Sequence, residues 1–439
     1  MRVLCGFLTI GLLQLSLGPV EAGWAASLSA TQPSNQLELN ALIAEALANN
    51  PELVSARTRW QAAQQKIPLS KGLPAPRIGV EWENIPRGSV KFNQAELMYQ
   101  LIQSLPFPGK LSAKHRVAVK DAQIAATAFK QAEWDIVTQV KAIYYELFLL
   151  DRELDATQQE RLWFAQASAT AQARYASGTG TQAEVLMAQG QLMEAINALG
   201  VLQHRRLAMA AHLNHLLNHP AHHEIGQPAP FHLQPIPLTP EELILIAQDR
   251  QPELLAFQFS AERADAALKL AKRELLPDLE TMVELRDPAM GPFGPWDLSL
   301  ALVLPFWFWT KLKYGVKAAI YDQASAHAAY QAMQNEIARR IHEHWHEAQA
   351  SYETAKLCED GLIKLSEQGV ASSLAAYQGG RAPYSDVLES LRMWSERQRT
   401  YAEHVVQFEQ HVVMLEQAVG MSLHGTVIPE PIPSEGGAR

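Results

Sequence analysis

The 439-residue chain has only two cysteines, Cys5 and Cys358. Two thiols exclude a disulfide framework and any cysteine-based zinc site. Positive charge is also scarce: 37 Lys+Arg stand against 46 Asp+Glu, a net charge of −9. Phosphate backbones are held by concentrated cations, so nucleic acid is not expected as a partner. Beyond the first segment no uninterrupted apolar run reaches about 18 residues, the length of a helical membrane span. With a mean hydropathy of −0.12, the chain is not a polytopic bundle of such spans. If it enters a membrane, it does so by strands.

What is present begins with a leader. Met1-Arg2 gives a short positive start, Val3 to Leu17 is almost wholly apolar, and small residues appear at Val20-Glu21-Ala22. This is the order of a secretory signal peptide, expected over residues 1–22, with cleavage after Ala22 or near Ala25 or Ala26. Cys5 would leave with it, and no cysteine stands at the new N-terminus to carry a lipid.

The rest of the chain is written twice. Asn50-Pro51-Glu52-Leu53 recurs as Gln251-Pro252-Glu253-Leu254, an offset of 252 − 51 = 201. Pro106-Phe107 recurs as Pro305-Phe306 and Lys110-Leu111 as Lys311-Leu312. Tyr175-Ala-Ser-Gly178 recurs as Tyr377-Gln-Gly-Gly380, and Glu184-Val185-Leu186 as Asp386-Val387-Leu388. These landmarks define two structural repeats, 37–218 and 240–421. They are joined by a Pro- and His-rich linker, 219–239, and end in an irregular tail, 422–439.

Each repeat reads as helix, strand hairpin, long helix, turn, helix. The first helices, Leu39–Lys66 and Glu241–Arg273, contain the Pro-Glu-Leu landmark, which should break and restart them. From Leu111 to Tyr175 there is no proline or glycine, enough for a helix of about 100 Å. Its apolar residues Ile136, Val140, Ile143, Leu147, Leu150 and Leu154 step 4, 3, 4, 3, 4, a coiled-coil seam. The second repeat predicts the same length from Lys317 to Tyr377, with a seam starting at Ile337 and Ile341. Returning helices are expected at Gln182–Leu217 and Tyr384–Val419. Between the helices lie four alternating segments around Ile78–Trp82, Leu97–Ile102, Leu279–Leu285 and Trp296–Leu304. They approach the length of tilted membrane strands. Turn signals at Pro86-Arg87-Gly88 and Pro288–Pro295 connect them, and Trp296, Trp307 and Trp309 sit at strand ends, where an aromatic girdle would lie.

In this order the landmarks resemble the TolC family of outer-membrane efflux proteins, over residues 37–421. Gln103-Ser-Leu-Pro-Phe-Pro-Gly-Lys-Leu111 is similar to the branch serving cobalt–zinc–cadmium resistance. The resemblance implies a mainly α fold with a small β part. In it a homotrimer forms a long α-helical coiled-coil barrel and shares a twelve-stranded transmembrane β-barrel, four strands per chain. It implies a passive exit duct in the outer membrane of a Gram-negative bacterium, with a periplasmic helical extension. Its partners would be a periplasmic adaptor and an inner-membrane pump of the resistance–nodulation–division class, and heavy-metal cations would be among its substrates. The turns with Gly178, Gly180, Gly379 and Gly380 would meet the adaptor. Asp386, Glu389 and Tyr377 match the family's aperture and gate positions. Ala382 stands where the gate arginine is expected and Arg381 lies one residue early, while Glu184 is the acidic counterpart in the first repeat.

Two other classes compete. His342-Glu343-His344-Trp345-His346 satisfies H-E-x-x-H, the zinc metallopeptidase pattern. The same register of the first repeat, Lys141–Tyr145, carries no such residues, and His344 takes the seam place of Ile143, so no enzyme is expected. His212, His215 and His219 step i, i+3, i+7 and could share one helical stripe with metal-binding imidazoles. The plainer expectation is a polar helix end, and neither a resident metal nor a cofactor is expected. A periplasmic structural coiled-coil protein would explain the leader and the helices but not the paired amphipathic hairpins.

Overall fold

The computed structural model describes residues 36–83, 96–231, 233–286, 295–306 and 311–425. The leader, Arg87 and its neighbours, residues 288–294, Trp307, Trp309 and the tail from residue 426 lie outside the described residues. The first repeat runs β1 (Gln36–Leu37), α1 (Leu39–Asn49), α2 (Pro51–Leu69), β2 (Arg77–Glu83), β3 (Glu96–Leu105), α3 (Lys110–Ala176) and α4 (Gln182–Leu216). After β4 (Gln227–Pro228), which pairs in parallel with β1, come α5 (Pro240–Arg250) and α6 (Pro252–Arg273). They lead into β5 (Asp278–Arg286), β6 (Trp296–Val303), α7 (Lys311–Leu357), a π-turn at Cys358–Leu362, α8 (Ile363–Gln378) and α9 (Tyr384–Val419).

The Pro-Glu-Leu landmark acts alike in both copies. Pro51 and Pro252 open α2 and α6 at the first helical position, where a missing N–H breaks no helical bond. The residue before each proline is extended and caps the new helix. Asn50 accepts from the Glu52 N–H at 2.8 Å, and Gln251 accepts from the Leu254 N–H. Asn50 also donates to the Leu216 carbonyl at 3.1 Å, tying this break to the end of α4.

The two hairpins merge into one antiparallel sheet of order β2-β3-β5-β6. Its register stacks like with like. Ile78, Leu101, Val283 and Leu298 form one cross-strand row, and Val80, Tyr99, Leu285 and Trp296 form the next. Both rows are exposed, from 36% at Val283 to 81% at Ile78. The opposite face carries Gly79, Gln100, Glu284 and Asp297 in one row, with ion pairs Arg77–Glu280 at 3.0 Å and Arg286–Asp297 at 2.8 Å. The sheet therefore has an apolar outside and a polar inside, the reverse of a soluble half-buried sheet and the arrangement of a membrane strand pair facing lipid.

Below the sheet, Gly109 (φ 92) starts α3 in the left-handed region. Lys110 beside it is buried and donates to the Leu276 carbonyl at 2.8 Å and to Asp278 at 2.7 Å. The start of one repeat's long helix is thereby locked to the start of the other repeat's strand. Helix α3 is continuous for 67 residues, about 100 Å, and packs against α2, α4, α6 and α9. Of its seam, Ile136, Val140, Leu147 and Leu150 are buried. The second long helix departs from the uninterrupted Lys317–Tyr377 stretch expected from sequence. It starts earlier, at Lys311, and a π-turn containing Gly361 splits it. A π-turn adds a residue to the helical repeat and rotates the helix beyond it.

Charge is buried where the repeats meet. Lys141 of α3 and Glu416 of α9 form an ion pair with side chains 3% and 2% exposed. Glu416 also accepts from the Leu423 N–H at 2.8 Å and the Ser422 hydroxyl at 3.0 Å. Glu409, two turns back on α9, is buried beside them. Burial pushes its carboxyl up to about 7; a hydrogen bond with Tyr145 and the nearby Lys141 pull it down, and Glu416 pushes it up again. An acid whose folded pKa is raised binds more protons folded than unfolded between about pH 4.5 and 7, so stability falls as the pH rises through that window. The melting temperature of the purified protein should drop between pH 5 and pH 8, and Glu409→Gln should flatten that slope. An equal slope in the variant would assign the drop elsewhere. Lys141→Met alone strands the Glu416 charge and should cost about 3–5 kcal/mol in chemical unfolding; Lys141→Met with Glu416→Gln should cost less than that single change.

Candidate functional site

The turns closing the two helical hairpins have the same construction. Gly178 (φ 73) lies just past α3 and Gly380 (φ 69) just past α8, where a left-handed residue ends a helix and glycine alone adopts it without strain. The Gly178 N–H donates to the Tyr175 carbonyl at 3.0 Å and the Thr179 N–H to the Arg174 carbonyl at 2.9 Å. In the second turn the Gly380 N–H donates to the Tyr377 carbonyl at 3.0 Å and the Arg381 N–H to that of Ala376 at 2.9 Å. Gly180 is demanded by space instead: a Cβ there would lie 2.9 Å from the Arg174 Cβ. Gly379 has an ordinary φ of −77.

Four helix ends converge between these turns. Tyr377, at the end of α8, is fully buried, and its hydroxyl donates to Glu184 Oε2, in the first turn of α4, at 3.2 Å. Arg174, near the end of α3, lays its guanidinium over the Tyr377 ring, 4.8 Å from the centroid. Its Nη1 donates to the Tyr377 carbonyl at 2.9 Å and its Nη2 to the Thr179 carbonyl at 3.2 Å. Tyr384, opening α9, packs ring to ring with Tyr377 at 5.6 Å. Burial first and then Glu184 push the Tyr377 phenol up, so it remains a proton donor at neutral pH. Burial and Tyr377 push Tyr384 up to about 12, and its hydroxyl has no hydrogen-bond partner among the described residues. Apolar residues of both hairpins, including Phe164, Ala171, Ala188, Leu374, Val387 and Trp394, pack beneath this cluster.

Of the gate residues that sequence nominates, the structure brings Tyr377 and Glu184 together. Asp386 and Glu389 lie one turn apart on the exposed face of α9, and Arg381 is exposed. The cation over the tyrosine is Arg174, from the other repeat, which sequence reading missed. A signal existed: Arg174 directly precedes the Tyr175 landmark, and its counterpart before Tyr377 is Ala376. A charge present in only one copy of a duplicated turn marks a contact that the duplication alone does not require.

The histidine groups separate. His342 and His346 are exposed, with ring centroids 6.3 Å apart. Glu343, the base a metallopeptidase would need, is paired with Arg339. His212 and His215 lie on α4, but Asn218 (φ 59) ends the helical path before His219. His219 turns to Glu45 at 2.8 Å instead, so the three do not form one stripe. His344 lies half-buried between α7 and α9, 5.8 Å ring to ring from His411.

Arg174→Ala removes the cation–π contact and two hydrogen bonds, together about 1–2 kcal/mol. Amide exchange near residues 174–184 and 377–386 should accelerate about tenfold, with no change in the sheet. Unaltered exchange at both turns would show that Arg174 does not hold them together.

No curated protein sequence matches this chain at a significant level. Solved structures do match in fold. The outer membrane protein VceC from Vibrio cholerae aligns with TM-score 0.76 at 19% identity, over 88% of this chain and 97% of that one. CusC aligns with TM-score 0.76 at 16% identity, over 88% and 93%. The MtrE outer membrane channel of Neisseria gonorrhoeae, in its open state, aligns with TM-score 0.73 at 15% identity, over 88% and 90%. A sequence profile described as "Outer membrane efflux protein" matches residues 42–219 and 243–421. The chain thus belongs to the outer membrane efflux protein family, the TolC-type channels, which are passive outer-membrane conduits with long periplasmic helices and not enzymes.

Proposed function

We propose that three copies of this chain assemble into an exit duct of a tripartite efflux system. The observation that carries this reading is the four-stranded sheet, with one exposed apolar face and open edges at β2 and β6. Four strands cannot close, and an open edge in lipid leaves backbone groups unpaired. Three such sheets give twelve strands, an even-numbered barrel of ordinary size. An exposed apolar stripe on α4, with Leu186, Met193 and Leu207 at multiples of seven, supports helix packing between copies. Trimers that resist detergent and dissociate on heating, recovered from outer-membrane fractions, are the expected result. Release of the protein without detergent would favour a soluble coiled coil and remove the proposal.

The partners in this reading are a periplasmic adaptor and an inner-membrane pump of the resistance–nodulation–division class. The adaptor meets the turns at Gly178–Gly180 and Gly379–Gly380, which lie at the chain positions farthest from the strands. Heavy-metal cations are the proposed substrate class, supported by the Gln103–Leu111 segment. A deletion strain should become more sensitive to cobalt, zinc and cadmium; unchanged tolerance of all three would discard the substrate class while leaving the duct.

Asp386 and Glu389 form the proposed aperture. Symmetry would gather two carboxylates from each chain, and a ring of like charge in a narrow mouth attracts cations. In planar bilayers the channel should be cation-selective and blocked by multivalent cations. Asp386→Asn with Glu389→Gln should weaken both properties, and a double variant that behaves as wild type would exclude the ring as the filter.

A further inference from the structure

A group of potential metal ligands joins α7 to α9. His344 and Glu347 lie i, i+3 on one face of α7, and His411 comes from α9. One ligand atom from each residue falls within 4.8 Å of the other two. Nδ1 of His411 is 3.2 Å from Glu347 Oε2, and Nδ1 of His344 is 3.7 Å from the same oxygen. Ligands on a tetrahedral Zn²⁺ with bonds of about 2.0–2.1 Å lie roughly 3.3 Å apart. Two of the spacings are therefore near those of a ligand set, and a small closure would seat an ion.

Two observations separate this group from a chance surface cluster. Nδ1 of His344 is shut off from solvent and has no hydrogen-bond partner among the described residues, a buried polar atom that coordination would satisfy. The ring positions are also held by packing. Trp345, next in sequence to His344, donates to the Leu238 carbonyl at 3.0 Å and fixes the rotation of α7. Phe408 and Val412, flanking His411, pack against Ala348 one residue beyond Glu347, and Tyr352 packs on Phe408 at 5.6 Å. Ligands whose backbones are fixed in this way lose little freedom on binding.

We propose that His344, Glu347 and His411 form a divalent-cation site of the Zn²⁺ class that braces α7 against α9. Two imidazoles and a carboxylate are borderline ligands suited to this class, and a water completes the tetrahedron. The site is distinct from H-E-x-x-H: it uses the middle histidine of that motif and leaves His342 and His346 exposed. It lies about 40 Å along α9 from Tyr384, at 1.5 Å per residue, far from the aperture carboxylates. It does not rest on the trimer or on the identity of the transported substrate.

The test uses the full, tag-free protein in detergent, titrated with Zn²⁺ by calorimetry and with Co²⁺ by visible absorption. One Zn²⁺ per chain is expected, with the intense visible bands of four-coordinate Co²⁺ and a rise in melting temperature on adding Zn²⁺. Glu347→Gln and His411→Asn, which keep a polar side chain in place, should each weaken binding by more than about tenfold, since even outer-sphere changes cost that much. Both should keep the wild-type melting temperature without metal to within a few degrees, and His342→Ala with His346→Ala should bind as wild type. The proposal is overturned if no stoichiometric Zn²⁺ binds, if Glu347→Gln and His411→Asn both retain it, or if the His342/His346 variant alone loses it.

Discussion

The sheet has more apolar surface than one chain can cover, and that constraint governs the rest of the molecule. Rows such as Ile78–Leu101–Val283–Leu298 are uniformly apolar and exposed, while the opposite face is laced with ion pairs. In water this arrangement would expose a patch larger than monomers tolerate. In lipid it is stable only when the strand edges find partners. The helices below inherit the same requirement. A 67-residue helix is about 100 Å long and cannot be wrapped by a globular core, so it is buried piecewise, by α2 and α6 near the sheet and by α4 and α9 farther down.

Duplication supplies this architecture economically, and the differences between copies carry the specific chemistry. Tyr175 and Tyr377 occupy the same landmark, yet Tyr175 is exposed and Tyr377 fully buried. Glu184 and Asp386 open equivalent helices, yet Glu184 accepts from Tyr377 while Asp386 faces outward. Each difference links one repeat to the other: Arg174 to Tyr377, Lys141 to Glu416, Lys110 to Asp278. Two identical copies could pack apolar seams together, but unlike charges across the joint fix which surface of one repeat meets which surface of the other.

The features legible in the sequence were local and periodic. The four strands obey alternation, the breaks at Asn50 and Gln251 come from the prolines next in sequence, and the first long helix reflects the absence of proline and glycine. The features that stayed hidden were set by contacts distant in the chain. The π-turn at Cys358–Leu362 has no strong local signature beyond Gly361. The left-handed Asn218 detaches His219 from a stripe that spacing alone would grant it. Arg174 lies about 200 residues from Tyr377, and His411 lies on a different helix from His344. Spacing along one helix therefore pointed to His342 and His346, whereas packing between two helices gathers His344, Glu347 and His411.

The polar groups are also distributed unequally along the long axis. Near the sheet the ties are Lys110–Asp278 and the pairs on the sheet's polar face, all anchored to backbone that cannot move without breaking strands. At the middle, Lys141, Glu409 and Glu416 are wholly buried, so separating α3 from α9 there would leave charge stranded in an apolar interior, a cost of several kcal/mol. At the turns the ties are the Arg174–Tyr377 cation–π contact, hydrogen bonds to carbonyls, the Tyr377–Glu184 hydrogen bond and the apolar cluster beneath them, with no buried ion pair among the described residues. The middle is thus where opening the molecule would strand charge, while the turns are joined by aromatic packing and hydrogen bonds. Burial depth decides these contributions: Lys141 and Glu416 are withdrawn from water, whereas the Arg77 side chain on the sheet is 70% exposed and its pair with Glu280 contributes little beside them.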